Sequence, residues 1–180
     1  MARGRVLPGD TRGMQSSVDA ARQAERILAA FDSHELLSPL TVDDPSLGPE
    51  DAYAIALEIH RRRLERGELP VGRKIGFTNQ KLWAGYGIAD PMWGHVYDST
   101  VHFANDGAAA ISVAALLQPR IEPEIQLHFA RTPPVTNDAQ AILGCVDWIA
   151  QGFEIVQCPF PNWRFAVADA SLRSGSTAHS

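Results

Sequence analysis

Apolar residues recur along the chain at two spacings, one close to the turn of a helix and one at every second position. The helical spacing comes first. Val18, Ala21, Ala24, Leu28 and Phe31 share one helical face, and Ser16 three residues before Asp19 resembles a capping box at its start. Ser38-Pro39 and Asp44-Pro45 then interrupt any regular element, so Asp32 to Leu47 reads as a loop. Gly48-Pro49-Glu50-Asp51 opens a second helix, because Pro at the first helical position gives up no useful hydrogen bond and acids suit the positive end of the dipole. Its inner face is read as Tyr53, Ala56, Leu57, His60 and Leu64, its stop as Gly67, and Arg61-Arg62-Arg63 as its solvated end. The same spacing returns from Asp138 to Ala150 through Ala139, Ile142, Leu143, Val146 and Ile149.

Strand-like stretches lie between and beyond these helices. Val71 to Asn79 is a short apolar run with glycines, His95 to Phe103 carries Val96, Tyr97, Val101 and Phe103, and Phe153 to Val156 follows Gly152. Ala108 to Leu117 fits neither template. The clearest alternation is Arg120 to Phe129, where Ile121, Pro123, Ile125, Leu127 and Phe129 share one face and Glu122, Glu124, Gln126 and His128 the other. Same-face neighbours on a strand stand roughly 6–7 Å apart, so the two glutamates repel unless water or a cation intervenes. A hard divalent ion such as Mg²⁺ answers that repulsion with oxygen ligands. The same alternation equally describes an ordinary half-buried strand with two solvated carboxylates.

Two other residues carry chemistry in their surroundings. Glu154 interrupts an apolar strand, and a buried carboxylate calls for a partner, a metal or an open side of the sheet. Lys74 stands between Gly72 and Gly76, in confined surroundings of the kind that shift a lysine toward neutrality, or else as a surface lysine with its stem along a sheet. Gly85-Tyr86-Gly87 lacks the third glycine and the strand-to-helix setting of a dinucleotide loop.

Composition narrows the possibilities. A length of 180 residues at 45% hydrophobic suits one domain with its own core. A net charge of −5 argues against general nucleic-acid binding, and no stretch reaches the roughly 18 apolar residues of a membrane span. The expectation is a soluble cytoplasmic protein without nucleic-acid or membrane partners. Cys145 and Cys158 form neither a disulfide framework nor a zinc motif, and read as buried hydrophobes. Residues 1–15 are expected to be a disordered lead-in, with Met14 as a second possible start, 16–169 a single domain and 170–180 a disordered tail.

Gly72-Arg-Lys-Ile-Gly76, the P-x-x-G turn at Pro91 to Gly94, Pro119-Arg-Ile-Glu-Pro-Glu-Ile125, and Phe153-Glu-Ile-Val156 followed by Asn162-Trp163 occur in one order over about Val18 to Ala168. In that order they resemble the 2-keto-4-pentenoate hydratase and 4-oxalocrotonate decarboxylase group of the fumarylacetoacetate hydrolase superfamily. The resemblance implies an α+β fold, a mostly β mixed-sheet roll of the superfamily's C-terminal-domain type with N-terminal helices. It implies that Glu122, Glu124 and Glu154 correspond to ligands of Mg²⁺ or Mn²⁺, and Lys74 to an active-site lysine that assists proton transfer. The implied reaction is hydration of a 2-hydroxy-2,4-dienoate to a 4-hydroxy-2-oxo acid in the catabolism of aromatic ring-cleavage products. The expected assembly is a homo-oligomer, with a decarboxylase as a further partner.

Three departures accompany the match. Met92 stands where many members place an acid in the P-x-x-G turn, and Gln157 where many place an aspartate after the third ligand. The family continues beyond Ala168-Asp169 with a large β-rich portion, whereas Ala170 to Ser180 is rich in Ser, Gly and Ala, so the roll is expected to be incomplete and the product abbreviated. Rival readings are a 2-oxo-3-enedioate decarboxylase, a carbon–carbon bond hydrolase, and a non-catalytic remnant or partner subunit that keeps the metal-site sequence.

Overall fold

A computed structural model of the chain describes residues 12–172 and 174–179. The elements run α1 (Arg12–Ser33), α2 (Leu40–Asp43), α3 (Pro49–Glu65), β1 (Pro70–Gly76), α4 (Trp83–Tyr86), β2 (Met92–Tyr97), β3 (Val101–Phe103), β4 (Arg120–Phe129), α5 (Ala139–Leu143), β5 (Val146–Gln157), α6 (Val167–Ala170) and β6 (Ser174–His179). Helices and largely antiparallel sheets are thus combined, in the expected α+β class. β1 and β2 form an antiparallel pair, and a four-stranded sheet has the order β3-β6-β5-β4 with β3 and β6 parallel.

The helix signals act as read at α3. Pro49 opens it, the Asp51 carboxylate accepts from the Gly48 N–H at 3.0 Å, and Gly67 takes a left-handed φ of +87° as its N–H reaches the Leu64 carbonyl. The face it buries differs from expectation. Ala52 and Ile55 are buried, Tyr53 and His60 turn toward β2, and Leu57 and Leu64 are exposed. Nor is the arginine run a merely solvated end. Arg61 and Arg62 pair with Glu58, while Arg63 pairs with Glu68 and lies over the Tyr97 ring at 3.9 Å.

The core lies where α1 and α3 meet the segment after β5. Ala24, Ile27, Leu40, Ile55, Cys158, Phe160 and Leu172 interlock there, and Asp169, with no exposed surface, ties α2 to the start of α6. Its carboxylate accepts from the Thr41 hydroxyl at 2.6 Å, the Thr41 N–H at 3.3 Å and the Ala166 N–H at 3.1 Å. Three donors answer its charge, as a buried carboxylate requires. Both cysteines are buried, as expected.

Three boundaries depart from the sequence reading. Helix α5 stops at Leu143, and Val146 to Ala150 belong to β5, because Arg131 binds the Gly144 carbonyl and β4 offers these β-branched and aromatic residues a ladder. Arg12 to Gln15, assigned to the lead-in, lie within α1, whereas 1–11 and the side chains around the Ser16 capping signal fall outside the described residues. The tail is not a structureless run from Ala170. Leu172 enters the core and β6 inserts between β3 and β5, held by backbone ladders that need no apolar periodicity.

Candidate active site and metal centre

The site begins with strand register. Glu122 on β4 lies directly opposite Glu154 on β5, and Glu124 lies opposite Gly152, which puts no side chain beside it. Directly opposed residues share a face, so the three carboxylates point to one side of the sheet, and each offers an oxygen within 4.8 Å of the other two. Glu122 is exposed, Glu124 half-buried and Glu154 buried. The face read as possibly wet is therefore turned into the molecule. The apolar face, with Ile121 at 64% and Ile125 at 73% exposure, is turned outward.

Lys74 reaches this face from the β1–β2 pair. Gly94 is its cross-strand partner and Gly72 and Gly76 flank it two residues away, so the lysine stem crosses a floor without side chains; a Cβ on Gly94 would touch its Cγ and Cε at 3.7 Å. Its ammonium donates to the Glu154 carboxylate in a short contact. That ion pair joins the two sheets. It leaves two further anions beside the pair, and Glu124 shows the result: burial first, then the fields of Glu154 and Glu122, raise its pKa above the ordinary value of 4.5 against the pull of Lys74.

The donor set fits a hard divalent cation. Cis oxygens in a Mg²⁺ octahedron stand about 3 Å apart and trans oxygens about 4.2 Å, so carboxylate oxygens within 4.8 Å need only a small closure. Like charges directly opposite destabilise a sheet, and an ion among them removes that cost. His128, on the same face further along β4, is outside this group. Its ring stacks on Trp148 and its Nδ1 lies 2.5 Å from Asp147.

A cleft of about 140 Å³ opens over the carboxylates, with Phe77, Met92, Val156 and Leu172 among its walls. Met92 thus gives the cleft an apolar wall. Gln157 does not enter it, since its side-chain oxygen accepts from the Leu117 N–H at 3.1 Å. The sequence reading passed over a cluster on the opposite face of the β1–β2 pair, where Trp93, His95 and Tyr97 alternate toward α3. Tyr53 stacks on Trp93, and His60 stacks on His95 with ring centroids 3.7 Å apart while its Nδ1 lies 2.8 Å from the Tyr97 hydroxyl. Burial, then His60 and Arg73, lower the His95 pKa. Period-two spacing at 93, 95 and 97 was the only signal for it.

No model of a known protein family matches the chain. Individual relatives do. A 2-hydroxypent-2,4-dienoate hydratase of Pseudomonas putida is 31% identical over 155 residues, covering 84% of this chain and 68% of the relative. The chain belongs to the 2-keto-4-pentenoate hydratase and 4-oxalocrotonate decarboxylase family. Within that family, a 2-hydroxyhexa-2,4-dienoate hydratase of Comamonas testosteroni is 33% identical over 157 residues, 86% of this chain but 58% of the relative. The chain thus spans little more than half the length of that relative. A solved family structure, 4-oxalocrotonate decarboxylase from Pseudomonas putida G7 complexed with magnesium and adipate, superposes with a TM-score of 0.81 at 24% identity, covering 98% of this chain and 65% of that one. Its fold is the fold of this chain, of the fumarylacetoacetate hydrolase type.

Proposed function

We propose that this chain carries a metal-dependent lyase site that adds water to a 2-hydroxy-2,4-dienoate, through its 2-oxo-3-enoate tautomer, to give a 4-hydroxy-2-oxo acid. The observation that carries the reading is the closure of Glu122, Glu124 and Glu154 around one point with Lys74 at its edge. Mg²⁺ or Mn²⁺ held by the three glutamates would supply Lewis-acid stabilisation of negative charge developing on the 2-oxygen.

The chain's own residues do the rest. Glu154, buried and paired to Lys74, would offer the ion a carboxylate screened from bulk water. The glycine floor leaves room for Lys74 to pass from Glu154 to the substrate, where its ammonium would deliver a proton to C3 as a water oxygen bonds to C4, and the neutral amine left behind would take up the proton that the water gives up. Phe77, Met92 and Val156 shield the carbon end of the substrate from bulk water. A 2-oxo-3-enedioate decarboxylase is the second reading. It is favoured by relatives such as a 4-oxalocrotonate decarboxylase of Pseudomonas putida, 30% identical over 140 residues, and by the same demand for charge stabilisation at a 2-oxygen.

The experiment is turnover of 2-hydroxypenta-2,4-dienoate and of a 2-oxo-3-enedioate by the Mg²⁺-loaded protein, with products identified. Formation of the 4-hydroxy-2-oxo acid without carbon dioxide supports hydration, and carbon dioxide release from the enedioate transfers the assignment to decarboxylation. Lys74→Met is expected to lower turnover by 10²–10⁴-fold with Mg²⁺ still bound. Full activity in that variant removes the lysine from proton transfer.

A further inference from the structure

One side chain joins the approach to β4 with the turn that follows β5. The Gln118 amide NH₂ donates to the Cys158 carbonyl at 2.9 Å and the Phe160 carbonyl at 2.7 Å, and its side-chain oxygen accepts from the Asn162 N–H at 2.8 Å. Its main-chain carbonyl accepts from the Trp163 indole N–H at 2.9 Å. Next to it, the Leu117 N–H donates to the Gln157 side chain, and the Leu117 carbonyl accepts from the Cys158 N–H at 2.9 Å. Gln118, Asn162 and Trp163 have φ of +50°, +56° and +58°, a region that L side chains rarely adopt and that makes a tryptophan an outlier. Such conformations persist where the surroundings over-determine them, and the bonds to Gln118 do so here, with the Arg120 guanidinium 4.1 Å over the Trp163 ring.

The clamp adjoins the end of the β4–β5 ladder. Arg120 lies opposite Val156 there, and the next pair on that face is Glu122 opposite Glu154. Like charges directly opposite push a ladder apart. Alternation forbids a slip of one residue, which would exchange the two faces of β4, but it permits a slip of two, which keeps both faces and sets Glu122 opposite Gly152 or Val156 instead. We propose that Gln118 is a positioning residue, which denies the ladder this slip and holds Glu122 opposite Glu154 against their repulsion. Gln118 is neither in the carboxylate group nor on the cleft wall, so it acts through the strands. The use of this register to a metal rests on the lyase reading above; the register itself does not.

The test is Mn²⁺ affinity of the full chain by titration calorimetry, beside the NMR cross-strand contact between Glu122 and Glu154 in metal-free protein, with circular dichroism as the check on folding. Gln118→Gly removes the amide and suits the left-handed backbone. It is expected to lose the contact and to bind Mn²⁺ about 10–100-fold more weakly, the range for residues that orient ligands from behind. Trp163→Phe keeps a ring and removes only the indole N–H, and should move both readings the same way by less; it carries the test if the glycine variant does not fold. Ile27→Val lowers stability from the core and should keep the parent's contact and affinity, which separates positioning from a general loss of stability. A parent that binds no Mn²⁺ removes the metal reading and leaves the Glu122–Glu154 contact to decide the positioning. Retention of that contact in each of the two clamp variants that folds overturns the proposal, and so does the parent's affinity in folded Gln118→Gly.

Discussion

Asp169 and Glu154 are both buried carboxylates, and their surroundings differ in kind. Asp169 sits where α1, α3 and the segment from Cys158 to Leu172 close on one another, and two N–H groups and a hydroxyl donate to it. Glu154 has Lys74 on one side and two more carboxylates on the other. The first charge is matched by the fold. The second is only partly matched, and the surplus of negative charge is what a cation can use. A buried carboxylate is therefore informative about chemistry only once its donors and neighbouring charges have been identified.

The largest break in that comparison comes from the packed core. Phe160→Ala removes the largest fully buried side chain and is expected to cost about 3–5 kcal/mol of stability, read by denaturant melts. Asp169→Ala strands the donors that converge on the carboxylate and should cost about 2–3 kcal/mol. In the sheet, Glu124→Gln should leave metal-free stability unchanged or raised, because it removes one of three crowded anions. The same variant should abolish the stabilisation by Mg²⁺, which in the parent amounts to about 2.7 kcal/mol at a hundred times the dissociation constant. A Mg²⁺-induced rise in the Tm of Glu124→Gln equal to the parent's would place the ion elsewhere.

Acid should separate the two regions by the sign of the response. The folded pKa of Glu124 is raised, so the stability linked to it is present below 4.5 and is lost as pH rises through the raised value. Metal-free protein should therefore lose stability on that account as pH rises from 4.5. Saturating Mg²⁺, which binds the ionised form, should reverse the slope. Glu58 behaves oppositely. Hydrogen bonding to Arg61 depresses its pKa to about 2, so its contribution is present above 4.5 and disappears as pH falls through about 2. The effect of Glu58→Gln is the smallest expected, about 0.2–0.5 kcal/mol at neutral pH, because the pair lies at a helix surface.

What could be read in the sequence was what local pattern determines. The alternation from Arg120 to Phe129, the Pro49 helix start and the Gly67 stop all act over a few residues. Which face of β4 turns inward does not, since the alternation is the same either way and only the position of the β1–β2 pair decides it. From Ala139 to Ile149 the apolar spacing suits a helix, yet from Val146 the ladder with β4 decides the conformation. β6 left no apolar signal because backbone bonding on both sides holds it. In the candidate site, spacing put Glu122 beside Glu124. Bringing Glu154 and Lys74 to them required the register of one sheet and the position of another, which the family resemblance supplied and residue pattern did not. The His60–His95 stack joins a helix to a strand and had no local signature beyond alternation.

The Asp169 carboxylate also sets an order in time. It bonds to Thr41 across 128 positions, and the core around Ile27 and Leu40 is completed by Phe160 and Leu172. During synthesis at about 5–20 residues per second, α1 and α3 emerge roughly 10 s before the residues that close over them. For that interval their apolar faces have only each other, and the nascent chain presents them to whatever else is at the ribosome exit. The helices with the strongest local signals are thus among the last parts of the molecule to reach their final packing.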